Sequence, residues 1–407
     1  MNKNMTLIRD LITEISMGPF GSDIKVDNFV NEGIPVLNGS NVSGVSLKDG
    51  FSNYVTIEKA DALKKANAKR GDIVVTHRGT LGQISYIPEN SKFDRYIISQ
   101  SQFRVRLKRE IVNPIYFTNY FHTEEGQKRL LSFKNHVGVP ALAQATTNFR
   151  LLEFPLIPLK DQNNIAKILT DLDAKIELNN KINTEIEAMA KLIYDYWFVQ
   201  FDFPNENGLP YKSSRGKMIW NNELKREIPE GWEVQDLSII SNITTGKLDS
   251  NAEVLGAEYP FYTCASEPST TDTFAFDDTV ILVAGNNASG NFHINRHKGK
   301  FNAYQRTYIF TAKHQSELEY LYQVLKTETK LLKSQGKGSQ TKFLTIGMLT
   351  SIKTFSKTGI MKNFDNIVKP MYEQQVIIKL QNQKLTELRD WLLPMLMNGQ
   401  VKVETNT

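Results

Sequence analysis

The sequence predicts an α/β (α+β) chain: two globular domains in a tandem pseudo-repeat, separated and followed by long helices that pair as an antiparallel coiled coil. Three observations carry that expectation. A strand, a glycine loop and a second, polar-aromatic strand recur about 206 residues apart. Each half closes on apolar residues at heptad spacing. Lysine and arginine concentrate in the same two places. With 407 residues, 40% hydrophobic and 23% charged, the chain is too long for one ordinary domain and has the composition of a folded protein. The expected boundaries are 1–158 and 204–358 for the globular domains, with helical regions at 159–203 and 359–407.

In the first half, Gly71–Gly79 reads as an acidic turn, a β-branched strand and a glycine loop, echoed by Asp277–Gly285 at an offset of 206. The strand Ile98–Val105 follows, and Ala303–Phe310 answers it with Gln100 opposite Gln305, an offset of 205. Short amphipathic helices are expected over Ile115–Leu131 and Glu317–Lys333, then polar glycine loops at His136–Pro140 and Gln335–Gln340. The first long helix is expected over Asp161–Val199, with Ile165, Leu172, Ile186 and Ile193 in one heptad column. Asn179 shares that column: it either fixes the register of a helix pair or lies in water on a slightly rotated helix. The second helix is expected over Asn366–Met397, after a polar connector at Lys353–Gly359.

One cysteine, Cys264, excludes a disulfide framework and any multi-cysteine zinc site, and suits a reducing cytoplasm. No run of 18 apolar residues occurs and no apolar signal core opens the chain, so a cytoplasmic protein is expected. The formal charge of +5 conceals its distribution. From Ala62 to Arg150 there are 15 Lys/Arg against 6 Asp/Glu, and from Ile281 to Lys342 there are 10 against 3, leaving the remainder at −11. Such segments are either two footprints on phosphate backbone or two solvated basic faces.

Catalytic signatures are sparse. Asn113-Pro114-Ile115-Tyr116 approaches the Asp/Asn-Pro-Pro-aromatic loop that holds a flipped base, but lacks the second proline and reads better as a helix start. No phosphate-binding loop of Gly-x-x-x-x-Gly-Lys-Ser/Thr type is present, and Gly336–Ser339 has its ingredients at the wrong spacing. His293 and His297 lie four apart in a glycine-flanked strand or loop, which suits surface or base contact better than metal ligation. The chain reads as non-catalytic, the alternatives being an independent DNA-modifying enzyme of adenine methyltransferase type or a coiled-coil scaffold.

Leu385–Val401, with Trp391-Leu392-Leu393-Pro394, resembles the second conserved region of the specificity subunits of type I restriction-modification systems. Pro155–Leu159 with Asp161–Ala166, and Ile182–Phe201 ending in Tyr196-Trp197-Phe198-Val199, resemble their central conserved region. Gly18-Pro19-Phe20-Gly21-Ser22 resembles the start of a first target-recognition domain. The resemblance implies a DNA sequence-specificity subunit whose two recognition domains each read half of an asymmetric, bipartite target on double-stranded DNA. It implies helices that set the spacer and dock two copies of a modification methyltransferase subunit, with a restriction motor-nuclease subunit completing the complex. The cofactors it implies belong to those partners, S-adenosylmethionine to the methyltransferase and ATP with Mg to the restriction subunit, with none in this chain. Pro370, near the expected start of the second helix, departs from the family's usual opening there.

Base edges are read by donors and acceptors on loops. In the first domain the leading candidates are His77, Arg78, Thr80 and Gln83, followed by Gln100, Gln102, His136 and Gln144. In the second they are Asn286, Asn287, Ser289, Asn291, His293 and Arg296, followed by Gln305, Arg306, Lys337, Gln340 and Lys342. Arg104, Arg106, Lys298 and Lys300 are expected to contact phosphate, which positions without specifying.

Overall fold

A computed structural model describes residues 4–21, 23–135, 140–287, 290–335 and 342–401. The chain divides into two compact units, Met1–Leu178 with Gln381–Thr407, and Asn179–Leu380.

The first unit is built on an antiparallel sheet in the order Ile12–Met17, Gln102–Leu107, Ile73–Thr76, Ile84–Tyr86. Every residue of Ile73–Thr76 is buried, so this strand reads as a continuous apolar run without alternation. A second four-stranded sheet contains Ile34–Val36 and Arg95–Ile97, paired in parallel. Helices Pro114–Phe121, Glu124–Leu130 and Ala145–Leu151 cover the first sheet's core, where Phe103, Phe117, Phe121, Phe149 and Phe154 are fully buried. The single helix expected over Ile115–Leu131 is broken at His122–Thr123 because the Thr123 hydroxyl accepts from Gly126 N at 3.1 Å and caps a new helix.

The second unit repeats the pattern on a six-stranded sheet whose first three strands are Ser241–Thr245, Thr307–Ala312 and Phe276–Ala284. Pairing establishes the correspondence: Val74↔Arg104 and Thr76↔Gln102 in one unit match Leu282↔Ile309 and Ala284↔Thr307 in the other. The glycine-loop strands therefore correspond at an offset of 208, two more than the sequence echo suggests, while Gln100 and Gln305 do correspond at 205. Neither expected second strand begins where its apolar pattern does. Gln100–Ser101 and Gln305–Arg306 form turns, and the strands start just after them.

The same close approach recurs in both units. Gly18 N donates to Gln102 O (2.8 Å) and Gly246 N to Thr307 O (3.1 Å). A Cβ on Gly18 would fall 1.9 Å from Ser99 O, and one on Gly246 would fall 2.2 Å from Ala303 O. Only a residue without a side chain lets these strands leave the sheet at this point.

The long helices are Leu159–Tyr194, ending in a π-helical turn at Asp195–Val199, and Thr358–Asn398. The second starts eight residues before the expected position. The expected connector is instead the strand Lys353–Ser356, paired with Glu233–Asp236, plus the first helical turn, so Pro370 falls well inside the helix. The helices run antiparallel in both units. Arg389 Nη1 bonds Asp173 Oδ1 at 2.9 Å in the first, and Gln375 Nε2 donates to Asn183 O at 2.8 Å in the second. Asn179 is buried, not wet. Trp197 and Phe198, from the aromatic motif, pack in the core of the second unit with Phe364 and Trp232.

Each long helix is tied to its sheet domain by one buried side chain in its first turns. Gln162 accepts from Asn113 N (2.8 Å) and donates to Ile111 O (3.1 Å) and Ile157 O (2.7 Å). Asp365, 203 residues on, accepts from Glu319 N at 2.9 Å. Both N–H groups lie at or near the start of the helix that follows the sheet, where backbone donors lack partners within the helix.

Adding one methyl at these crossings tests the repeat. Gly18→Ala and Gly246→Ala should each destabilise their unit by about 1–3 kcal/mol through overpacking against backbone. Gly359→Ala, with nothing within 4 Å and a helical position, should leave stability equal or slightly raised. Thermal melts of the three variants check this, and equal melting of all three would contradict it.

Candidate nucleic-acid interface

In each unit the loops meet at one end of the sheet. His77 N donates to Ser101 O (2.9 Å) and Leu142 N to His77 O (2.9 Å). Gly285 N donates to Arg306 O (2.8 Å) and Leu344 N to Gly285 O (2.8 Å). The loop after the buried strand is thus held between the turn before the next strand and a short strand from farther along the chain. That short strand is Ala141–Leu142 in the first unit and Lys342–Phe343 in the second. Gly79 and Gly82, with φ of +88° and +87°, give the first loop a left-handed path that L side chains rarely adopt.

The structure gathers many of the expected residues here. His77, Arg78, Thr80 and Gln83 share the first loop, and the His77 ring Nε2 lies 3.2 Å from Gln100 O. Gln83 Oε1 accepts from the Thr76 hydroxyl at 3.2 Å, while Arg78, Thr80 and Gln100 are exposed. Gln144 is exposed just beyond Leu142, with a left-handed backbone. In the second unit Asn286 and Asn287 pair with Phe343 and Lys342, Asn291 is exposed in the same loop, and His293 O accepts from Ala284 N at 2.9 Å. Gln305 and Arg306 are exposed in the adjacent turn. His136, Ser289, Lys337 and Gln340 lie outside the described residues.

Burial or ion pairing changes the assignment of four others. Arg104, 3% exposed, bonds Glu14 and Lys65 O, so its guanidinium is not available to phosphate. Arg106 holds Asp72 through Nε and Nη2, both at 2.8 Å, and Glu14 through Nη1 at 2.9 Å. Gln102, 1% exposed, accepts from Ser99 N and donates to Asn38 O, which shapes the turn instead of facing out. Arg296 is clamped on buried Glu319 at 2.6–3.1 Å, beneath the sheet's helix. Lys298 and Lys300 are exposed but paired with Thr279 and Asp277, five and seven residues back along the strand from Ala284. At about 3.3 Å per residue that places them beyond the loop cluster along that strand.

Sequence reasoning missed the turn Asn38–Asn41. Gln102 reaches its Asn38 O, and a Cβ on Gly39 would lie 3.4 Å from Gln83 Oε1. The Asn38-Gly39 pair is a turn signal that could have found it. Cys264 was also missed; its thiol reaches Arg306 O at 3.6 Å.

Burial first, and the nearby Arg78 charge second, hold His77 below the ordinary histidine value despite its bond to Gln100. Because a carbonyl can only accept, a neutral His77 donates from Nε2 and keeps Nδ1 as an acceptor. His122 is likewise lowered by burial, with its Nε2 2.9 Å from Ile84 O.

The geometry does not favour Asn113–Tyr116 as a base-holding loop. Asn113 Oδ1 accepts from Ile115 N (2.8 Å) and Tyr116 N (3.1 Å) as a helix cap, and Tyr116 is fully buried, so no ring is free to stack on a base. His297 Nδ1 is bonded to Tyr262 OH at 3.0 Å. Among the described residues no three His, Cys, Asp or Glu side chains gather to hold a metal ion, and no helix is long and apolar enough to cross a membrane.

Comparison with known proteins identifies a family and a fold. A family model described as the type I restriction modification DNA specificity domain matches residues 21–188 and 229–383, one copy per half. The EcoDI specificity subunit of Escherichia coli is 32% identical over 183 residues, 44% of this chain and 40% of that protein. The MjaIX specificity subunit of Methanocaldococcus jannaschii is 24% identical over 397 residues, 90% of this chain and 88% of that one. Among solved structures, the S subunit of a type I restriction-modification system from M. genitalium shares the fold. Its TM-score is 0.62 at 17% identity, covering 100% of this chain and 98% of that one.

Two outcomes test the interior of the first unit. Asp72→Asn removes the carboxylate from a buried network holding two guanidinium groups and should cost on the order of 3 kcal/mol in denaturant unfolding. His77 and His122 sit below their unfolded value, near 6.5, so the folded unit binds fewer protons than the unfolded chain. Their contribution is present above that value and is lost as pH falls through and below it. Protection factors of the Ile73–Thr76 amides, corrected for the intrinsic pH dependence of amide exchange, should therefore fall from pH 7.5 to 5.5, and His122→Gln should flatten that fall.

Proposed function

The chain belongs to the family of type I restriction-modification DNA specificity domains, and from that premise we propose that it reads an asymmetric, bipartite target on double-stranded DNA. The observation that carries the reading is the repeated loop cluster. One scaffold, held by matching hydrogen bonds, presents His77, Arg78 and Thr80 on the loop of one unit and Asn286, Asn287 and Asn291 on the loop of the other. Two copies of a reading surface with different side chains suit a target of two different halves. In this reading the readers occupy residues 1–158 and 204–358, and 159–203 and 359–407 are the helical regions between and after them. His77 Nδ1, Gln83 and Gln144 assist in the first reader, and Asn286, Asn287, Asn291, His293 and Lys342 in the second. Lys298 and Lys300 contact phosphate on the flank.

The helices act as the ruler. With 36 and 41 residues they run about 54 and 62 Å, more than the 34–36 Å of one duplex turn. Their outward apolar residues, including Met189, Leu192, Leu388 and Trp391, are exposed and suit docking of two methyltransferase subunits. Those partners would supply S-adenosylmethionine and the chemistry, and a restriction subunit the ATP-driven motor; this chain acts in the cytoplasm as the non-catalytic reader.

Methylation mapping of cells carrying this chain with its methyltransferase should return one motif of two unequal halves around an unread gap. A short continuous motif would sink the proposal. Arg78→Ala should relax discrimination at one position of one half by about 1–3 kcal/mol, and Arg306→Ala should do so in the other half only. Competition binding against single-base variants at fixed salt measures both.

A further inference from the structure

Among the described residues, an exposed phenylalanine lies at or beside each loop cluster. Phe20 is 81% exposed on a turn that is firmly held: Phe20 N donates to Asp23 Oδ2 (3.0 Å), and Asp23 N donates back to Phe20 O (2.9 Å). Gly18, two residues before it, is locked against the Ser99 carbonyl. Gly21, just after it, lies so close to Gln100 that a Cβ would meet Oε1 at 2.7 Å. The turn that carries the ring therefore lies against the Gln100 side chain. In the second unit Phe343, 41% exposed, lies directly opposite Asn286 on the short strand that pins the reading loop.

The two rings come from different elements. Through the matched glycines, the position corresponding to Phe20 is Leu248, and through the matched hydrogen bonds of Leu142 and Leu344, the position corresponding to Phe343 is Ala141. One aromatic recurs at each surface although the scaffold does not dictate its origin. A ring carried on a turn against Gln100 in one unit and opposite Asn286 in the other, with the cationic Arg78 and Lys342 in the same loop clusters, suits a ligand with flat π-faces framed by anionic phosphate.

We propose that Phe20 and Phe343 are wedge residues, each stacking on or between bases at the edge of its half-target and loosening one base step. Loosening a step lets the neighbouring donors reach base edges at a position set by the ring. This rests on the DNA-reading function proposed above.

The test uses the full chain purified with its methyltransferase, on duplexes carrying the mapped motif. 2-Aminopurine replaces each base in turn, except the methylated adenine. The wild-type complex should raise the fluorescence at one step beside each half. Phe20→Ala should abolish the signal at one half, keep it at the other, and weaken specific binding about 5- to 150-fold, the usual range for one base–aromatic stack. Phe343→Ala should do the converse, and Phe20→Trp should retain the signal that Phe20→Leu loses. Unchanged binding and fluorescence in both alanine variants would overturn the wedge while leaving the DNA-reading function standing. Loss of methyltransferase co-purification with DNA contacts intact would assign the rings to a protein partner and also overturn it. A wild-type complex that fails to discriminate its motif would overturn the reading function itself.

Discussion

The fold depends on where each long helix is fastened. Gln162 makes three hydrogen bonds with its amide while fully buried, and Asp365 takes up an N–H at the start of Leu318–Gln335. A buried amide or carboxylate without partners is costly, so these groups accept only one arrangement of helix against sheet. That arrangement decides which end of the sheet is covered by helices and which is left for loops. The end of each sheet left for loops is in this sense a consequence of two buried acceptors, Gln162 and Asp365.

The two units show how far one scaffold separates its interior from its surface. The sheet position of Arg104 in the first unit is Ile309 in the second, and that of Arg106 is Thr311. At these positions one unit carries guanidinium groups joined to Asp72 and Glu14, whereas the other carries Ile309 and Thr311 and places its buried ion pair elsewhere, between Arg296 and Glu319, yet the loop-anchoring hydrogen bonds are the same. Backbone bonds set the loop positions, so side chains inside and outside the sheet can differ without moving them.

Much of this was legible in the residue order. The repeat, the matched glutamines Gln100 and Gln305, both long helices and the Asn113 cap follow from periodicity and punctuation, which are local properties. Charge was misleading for a physical reason. Counting Arg104, Arg106 and Arg296 as free cations ignores carboxylates that reach them from 90, 34 and 23 residues away. Pairing across that distance is a property of the sheet, not of any window of sequence. The same holds for Phe20 and the Asn38–Asn41 turn, whose neighbours are brought in by strand register, and for the helix start at Thr358, where pairing of Lys353–Ser356 overrode a polar, loop-like composition.

The first unit is discontinuous in the chain: its core of Ile165, Ala166 and Leu169 is joined by Leu396 and Met397. A ribosome releases those last residues only after the whole second unit has been made. The part begun first is therefore finished last, and its apolar helix stripe waits through the synthesis of some two hundred residues. A nonsense codon in the final turns of Thr358–Asn398 would strike the opposite end of the gene's product, leaving the second unit's core whole and the first unit's core open.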